Sequence, residues 1–192
     1  MERARVLIVG GGVVGCAIAA ELAPHTRDVF LLEQLPRLGL ATSTRNSGVI
    51  HSGLYYSPGS LKARHCVEGN RLTYEFCRAH NIPHQNTGTF VVATTAGEEE
   101  NIHFLLARGR ENGVEGLELV SAAELKRHEP HVAGRCALRV PSSGLVESEA
   151  LVKGYAAVAT AHGAYLATNA RLESVEPRRD FVRVTAGPAG EL

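Results

Sequence analysis

The sequence lacks an excess of charge of either sign, because 20 basic residues balance 20 acidic residues among 192. A nucleic-acid-binding protein normally carries a clear basic excess, so we expect no nucleic-acid partner. Long hydrophobic runs are also missing. The apolar stretch 6–20 contains four glycines and falls short of the roughly 20 residues that cross a bilayer. We therefore expect no export or membrane-spanning segment and a cytoplasmic location, and we leave contact with a membrane surface open.

The cysteines show no metal-ligand spacing. None of Cys16, Cys66, Cys77 and Cys136 belongs to a Cys-x-x-Cys pair or a cysteine–histidine pattern, so we predict free thiols in a reducing compartment and no metal site. Hydrophobic residues make up 44% of the chain and charged residues 21%, which is ordinary for a folded protein and excludes a disordered one. The length indicates one domain and part of a second.

Glycine is more frequent than average, with 20 residues, and several lie close to the N-terminus. The apolar run Arg5–Val9 predicts a buried strand, Cys16–Leu22 a helix and Val29–Leu32 a second strand, which together form a βαβ unit. Between the first strand and the helix, the sequence GGGVVG satisfies G-x-G-x-x-G at Gly10, Gly12 and Gly15. Such glycines allow a tight turn, close approach of a pyrophosphate and close packing of the helix.

An acidic residue follows the second strand at the position that this fingerprint requires. Glu33 lies 18 residues after Gly15, where a carboxylate binds a ribose hydroxyl and repels a 2′-phosphate. The helix N-terminus favours the phosphates through its free N–H groups and its dipole. These features predict an adenine dinucleotide site, and they leave FAD and NAD as alternatives.

A second segment, residues 41–63, combines small polar residues with a histidine and two tyrosines. An imidazole ordinarily titrates near pH 6.5, so His51 is suited to accept a hydroxyl proton at neutral pH, although a purely structural role is the alternative. Tyr55, Tyr56 and Lys62 are candidates for binding an acidic substrate. Core packing of the tyrosines and a solvated position for the lysine remain open at this point.

The run NSGVIHSGLYYSPGSLKARHCVEG, residues 46–69, resembles the L-2-hydroxyglutarate dehydrogenase/oxidase family, which belongs to the FAD-dependent oxidoreductases built like D-amino-acid oxidase. Residues 86–94, 124–130 and 140–146 are similar to the same family. The resemblance covers the whole chain, but these proteins are nearly twice as long. It therefore implies an N-terminal fragment of a longer enzyme.

The resemblance also implies roles for individual residues. His51 would lie next to the flavin, facing the substrate. The residues that would bind FAD comprise the glycine turn, the acidic residue after the second strand, a polar loop beside the flavin and a backbone contact near the adenine: Gly10, Gly12, Val14, Gly15, Glu33, Thr42, Ser43, Arg45, Asn46, Ser47, Gly48 and Val175.

The expected fold is α/β, with a Rossmann-like FAD-binding domain interleaved with an α+β antiparallel-sheet substrate domain, truncated at its end. We expect FAD-binding segments at residues 1–82 and 146–192 and the first part of the substrate domain at residues 83–145. Only two parallel strands are evident from the sequence, so we expect either later short strands to complete the sheet or the chain to be incomplete and a poor enzyme alone.

The expected reaction is oxidation of L-2-hydroxyglutarate to 2-oxoglutarate by hydride transfer to flavin, with quinone or oxygen as the final acceptor. Two alternatives remain: a relative that oxidises glycerol 3-phosphate or an amino acid, and an inactive fragment that binds FAD.

Overall fold

The computed structural model describes residues 3–188, in which strands and helices alternate along the chain. The strands are β1 (Val6–Val9), β2 (Val29–Leu32), β3 (Val49–Ile50), β4 (His84–Gln85), β5 (Thr89–Ala93), β6 (Glu118–Ser121), β7 (Cys136–Val140), β8 (Gly144–Val146), β9 (Tyr165–Ala167), β10 (Ala170–Pro177) and β11 (Val182–Pro188). The helices are α1 (Val13–Leu22), α2 (Leu61–Ala79), α3 (Ala96–Glu111), α4 (Ala122–His128) and α5 (Ser148–Ala161), and Thr42–Thr44 forms a 3₁₀ turn.

The chain divides into two compact units. Unit 1 contains the residues up to Asn46 together with those from Glu147 on, and unit 2 contains Ser47–Val146. The sequence placed the first boundary after residue 82, whereas the structure places it after Asn46. Helix α2 accounts for the difference, because its Asn70 and Tyr74 donate hydrogen bonds to the carbonyl of Ser142 and so join α2 to unit 2.

Unit 1 contains a parallel sheet of three strands in the order β1-β2-β9. The strand β9 pairs with β2 from Phe30↔Tyr165 to Leu32↔Ala167. The sequence identified only two parallel strands, and the structure adds β9 as a third. A strand of three residues carries no pattern that distinguishes parallel from antiparallel pairing, so the sequence could not assign β9 to this sheet.

The core of unit 1 lies where α1 and α5 pack on this sheet. Small side chains face each other on the two helices, with Cys16, Ala19 and Ala20 on α1 and Ala156 and Ala159 on α5. Small residues let the helices approach closely, while Val29 and Leu31 of β2, at 1% and 0% exposure, fill the space against the sheet. The strands β10 and β11 form an antiparallel hairpin with an irregular register between Leu172 and Ser174.

Unit 2 contains two antiparallel sheets. The larger has the order β5-β7-β6, and the smaller has the order β3-β8-β4. Helix α3 places Ile102 and Leu105 against Leu138 and Val140 of the central strand β7. The sequence did not predict β3, β4, β6 or β8, because strands of two to four residues show too little alternation to stand out from loops.

The sequence predicted the first helix from Cys16, and the structure starts α1 three residues earlier, at Val13. The N-cap Ser60 of α2 accepts a hydrogen bond from the N–H of Ala63 at 3.1 Å. Helices α3 and α4 each begin with a capping box, in which Glu98 and Glu124 accept hydrogen bonds from the backbone of the preceding turn. Those bonds stabilise the ionised form and lower the pKa of both carboxyl groups.

All four cysteines are unpaired thiols. Cys16 is fully buried, and burial, followed by the nearby charge of Glu33, raises the pKa of its thiol to about 11. Because the thiolate is the reactive form, roughly one Cys16 in a thousand would be ionised at pH 8 in the folded chain. We expect iodoacetamide to modify Cys16 only after unfolding. Peptide mass spectrometry of native and denatured samples would measure this, and rapid native labelling would contradict it.

Candidate functional site

The glycine turn joins β1 to α1 in a conformation that requires its glycines. Gly10 has a φ of +105°, which side-chain-bearing residues rarely adopt, and its N–H donates to the carbonyl of Leu32 at 2.8 Å. A Cβ on Gly15 would overlap the carbonyl oxygen of Gly10. The absence of side chains at these two positions therefore lets α1 begin directly against the end of β1.

Glu33 is buried, with 8% exposure, and its carboxylate holds the backbone around this turn. Its Oε2 accepts the N–H of Gly11 at 2.7 Å, and its Oε1 accepts the N–H of Leu35 at 2.8 Å. The sequence pointed to a ribose contact and did not reveal these two bonds. Each carboxylate oxygen can accept a second hydrogen bond, so a ribose contact is compatible with the observed geometry.

A cleft of about 350 Å³ opens beside the carboxyl ends of β1 and β2, where ligands bind in open α/β sheets. It is lined by Val9, Gly10, Gly12, Leu32, Glu33, Gln34, Leu35, Ala41, Ala170, Arg171 and Leu172. The sequence did not point to Arg171 or Leu172. Val175, which the resemblance assigned to the adenine, lies further along β10, paired with Val184 and 54% exposed, and is not among these lining residues.

The N-terminus of α1 provides donors for an anion. Gly12 is the N-cap and offers no side chain, and Ser43 supplies the cap instead, because its Oγ accepts the N–H of Val13 at 2.9 Å. The first-turn N–H groups of a helix lack intrahelical acceptors, and Val14 lies in this turn with 69% of its surface exposed. The glycine turn, the carboxylate and the free helix start together fit an adenine dinucleotide.

The polar loop that follows Ala41 is ordered by its own hydrogen bonds. Asn46 donates from Nδ2 to the carbonyls of Thr42 and Ser43, and Arg45 closes the 3₁₀ turn by donating its N–H to Thr42. The next predicted residues, Ser47 and Gly48, begin unit 2, where the carbonyl of Gly48 accepts the N–H of Val146 at 2.8 Å.

In unit 2, His51 follows β3 and faces a cavity of about 280 Å³ that also contains Tyr55 and Tyr56. The complete lining is Val49, His51, Ser52, Gly53, Leu54, Tyr55, Tyr56, Thr87, Gly88, Thr89, Ser143, Gly144 and Leu145. The structure thus brings three candidate residues into one cavity. The segments around Gly88 and Ser143 form another part of its wall, joined by a hydrogen bond from the N–H of Gly88 to the carbonyl of Ser143 at 2.9 Å.

The sequence marked the segments around Gly88 and Ser143 only as points of resemblance and did not place them in a site. Lys62 does not line the cavity. Its ammonium lies 4.6 Å from the ring centroid of Tyr56, a cation–π contact. Burial raises the pKa of Tyr55, so its hydroxyl keeps its proton at neutral pH and can donate a hydrogen bond to an anionic ligand.

Residues 3–188 contain neither a candidate metal cluster nor a candidate membrane-spanning helix. No three or more histidine, cysteine or acidic side chains are grouped in a way that could hold a metal ion. No helix in that range combines the length and the apolar character that crossing a membrane requires.

Comparison with known proteins identifies the family. Residues 5–191 match the family DAO, described as FAD dependent oxidoreductase. The L-2-hydroxyglutarate dehydrogenase of Indibacter alkaliphilus is 42% identical over 154 residues, which are 79% of this chain and 39% of that protein. The mitochondrial L-2-hydroxyglutarate dehydrogenase of Caenorhabditis elegans is 37% identical over 190 residues, 96% of this chain and 44% of the relative. The chain thus spans less than half the length of these relatives.

Solved structures agree with this assignment. The FAD-bound L-α-glycerophosphate oxidase of Mycoplasma pneumoniae superposes with a TM-score of 0.91 at 31% identity, over 97% of this chain and 50% of that one. Glycine oxidase from Geobacillus kaustophilus, at 24% identity and a TM-score of 0.83, shares the fold. These findings confirm the predicted α/β fold and the resemblance, and they decide between FAD and NAD in favour of FAD. The chain belongs to the DAO family of FAD-dependent oxidoreductases.

Proposed function

We propose that this chain is the FAD-binding and first substrate-contacting part of an enzyme that oxidises L-2-hydroxyglutarate to 2-oxoglutarate. The observation that carries the proposal is the single cavity shared by His51, Tyr55 and Tyr56, in a chain whose curated relatives are named L-2-hydroxyglutarate dehydrogenases. His51 is the only histidine that lines this cavity among the described residues. It is therefore the candidate for removing the hydroxyl proton.

The reaction needs two transfers from the substrate. FAD, when bound, accepts the hydride that leaves the α-carbon. The imidazole of His51 accepts the hydroxyl proton, and the oxygen then forms the carbonyl of the 2-oxo acid. The hydroxyl of Tyr55 donates a hydrogen bond to a substrate carboxylate. The final electron acceptor, a quinone or oxygen, stays open, and a cytoplasmic location stays a prediction because several curated relatives are named as mitochondrial.

Glycerol 3-phosphate is the second candidate substrate, favoured by the likeness to the L-α-glycerophosphate oxidase. Phosphate groups are commonly bound by arginine or lysine. Among the described residues, neither of these lines the cavity that contains His51. Arginine binds carboxylates as readily as phosphates, so this lining does not decide between the two substrates, and a direct comparison of them is needed.

Reduction of bound flavin by a substrate panel tests the proposal. The chain is loaded with FAD and mixed without oxygen with L-2-hydroxyglutarate, its D-enantiomer, glycerol 3-phosphate or glycine, while flavin absorbance is followed. Reduction of bound flavin is a single half-reaction and does not need the rapid turnover that a poor enzyme lacks, so we expect slow bleaching with L-2-hydroxyglutarate and none with the other compounds. Bleaching by glycerol 3-phosphate or by glycine instead would indicate that the chain acts on the substrate of a glycerophosphate oxidase or of a glycine oxidase. If no substrate bleaches the bound flavin, the chain binds FAD without catalysis.

The predicted FAD contact of Glu33 can be tested separately from catalysis. Glu33→Ala removes the acceptor of the Gly11 and Leu35 N–H groups and the proposed ribose contact. We expect FAD affinity to fall about 10- to 100-fold, since a hydrogen bond to a charged group contributes roughly 1.5–3 kcal/mol. Quenching of flavin fluorescence during titration measures the affinity. Glu21→Ala, at an exposed position of α1, is the control, and equal affinities for the two variants would contradict the assignment.

A further inference from the structure

The loop after β3 carries all three candidate side chains of the cavity, and its own backbone pairs in no sheet. His51, Tyr55 and Tyr56 lie within six residues of one another. Gly53, between them, has a φ of +94° and lies against α2, where an added Cβ would come within 2.7 Å of Val67 Cγ2. A loop without strand pairing needs other bonds to fix its side chains. Two asparagines supply three of them, beside a longer contact from Cys66 Sγ to the carbonyl of His51 and a bond from Arg108 Nη1 to the carbonyl of Tyr55.

Asn70 of α2 uses one amide nitrogen for two carbonyls. Its Nδ2 donates to the carbonyl oxygen of His51 at 3.0 Å and to that of Ser142 at 2.8 Å. Both hydrogens of the amide are therefore engaged. Because Ser142 directly precedes Ser143 in the cavity wall, Asn70 fixes the backbone of His51 relative to that wall.

Asn112, the C-cap of α3, makes the same arrangement further along the loop. Its Nδ2 donates to the carbonyl oxygens of Gly53 and Tyr56, both at 2.9 Å. Its Oδ1 is buried and finds no partner among residues 3–188. A buried acceptor without a partner carries a desolvation cost. The favourable contribution of Asn112 therefore comes from its two donated hydrogen bonds, which hold the segment that contains Tyr55 and Tyr56.

We propose that Asn70 and Asn112 are positioning residues for the oxidation, with Asn70 setting the place of His51 and Asn112 setting the place of the two tyrosines. This inference rests on the proposed function. It divides the loop into two parts with different tasks: the Asn70 bond governs proton removal, and the Asn112 bonds govern substrate binding. A residue that only stabilises the fold would not separate these two effects.

The kinetic test measures flavin reduction by L-2-hydroxyglutarate in the FAD-loaded chain. Asn70→Ala should lower the rate at saturating substrate by about 10- to 100-fold, because a displacement of about 1 Å in a catalytic group costs this much, and leave half-saturation nearly unchanged. Asn112→Ala should raise the half-saturating concentration by about tenfold, the effect of one lost hydrogen bond, with a smaller change in rate. Asn101→Ala, at an exposed position of α3, is the matched control and should change neither.

An NMR measurement decides the role of Asn70 without turnover. In the chain labelled with ¹³C-histidine, the imidazole signal of His51 is the one that disappears in His51→Ala. We expect this signal to move in Asn70→Ala and to stay in place in Asn101→Ala. If Asn70→Ala does not fold, Asn70→Gln, which retains both donors one methylene further out, serves as the second variant with the same expected shift.

The outcomes separate the two proposals. An unmoved His51 signal in a folded Asn70 variant, or equal loss of rate and affinity in both asparagine variants, would overturn the positioning roles. Full flavin reduction in His51→Ala would instead overturn the proposed function, while the NMR result would still decide whether Asn70 positions the imidazole. Flavin content and the unfolding temperature, recorded for each variant, show that an effect does not come from lost folded protein.

Discussion

Replacement of His51 by alanine is expected to slow reduction of bound flavin by about 10²- to 10⁴-fold, the usual contribution of a positioned general base. The imidazole faces a cavity in unit 2, whereas the glycine turn and Glu33 belong to unit 1. FAD content should therefore match that of the unchanged chain. Stopped-flow absorbance under anaerobic conditions measures the rate, and the ratio of flavin to protein measures the content.

A histidine outside the cavity provides the control for this variant. His103 is exposed on α3 and does not line the cavity, so His103→Ala should reduce its flavin at the original rate. A His51→Ala chain that is as fast as His103→Ala would assign proton removal to another group. If both variants lose flavin, the fold and not the chemistry has been affected.

Gly15→Ala is expected to weaken both the fold and cofactor binding. An added Cβ would overlap the carbonyl oxygen of Gly10 and come within 3.4 Å of Ile8 Cγ2, so α1 must move away from the end of β1. Overpacking of this kind costs about 1–3 kcal/mol, and the shift also displaces the helix N-terminus from the phosphates. We expect unfolding at lower temperature and at least about tenfold weaker FAD binding, since each 1.4 kcal/mol is tenfold in affinity.

Gly69→Ala is the control for Gly15→Ala, because it adds the same methyl group to another helix. Gly69 lies within α2, and a Cβ there would meet nothing within 4 Å. Gly69→Ala should stabilise the chain by about 0.5–1 kcal/mol through the better helix propensity of alanine. Calorimetry and FAD titration of the two variants give the test, and similar behaviour of both would show that the close approach at Gly15 does not matter.

The elements that the sequence predicted well are those whose signals are local. The first strand, the glycine turn and Val29–Leu32 could be assigned because apolar runs and glycine spacing lie within one short segment. The strands of two to four residues in unit 2 could not be assigned. Their existence depends on partners that are distant in sequence, such as β3 with β8, and no local pattern encodes that pairing.

In the candidate site, too, the local sequence indicated single residues, whereas the groups that contact them come from distant parts of the chain. Glu33 was proposed from its spacing after the glycine turn, and His51 from its residue type together with the family resemblance, but the groups around them were not predicted. The two N–H donors to Glu33, the wall around Gly88 and the amide of Asn70 come from other parts of the chain. Lys62 had a suitable charge for an acidic substrate, but its position over the Tyr56 ring depends on how α2 meets the loop.

The interruption of unit 1 by unit 2 has a consequence for the order in which the chain folds. The carbonyl of Gly48 accepts a hydrogen bond from the N–H of Val146. Two residues before Gly48 and two residues after Val146, the hydroxyl of Ser148 donates a hydrogen bond to the side-chain oxygen of Asn46 at 3.0 Å. The ends of unit 2 therefore meet without any residue that follows Val146. The parallel sheet must wait for Tyr165–Ala167, a contact of high sequence separation that forms late. We therefore expect β1 and β2 to remain without their third strand during synthesis, at a stage when all residues that line the cavity around His51 have already been made.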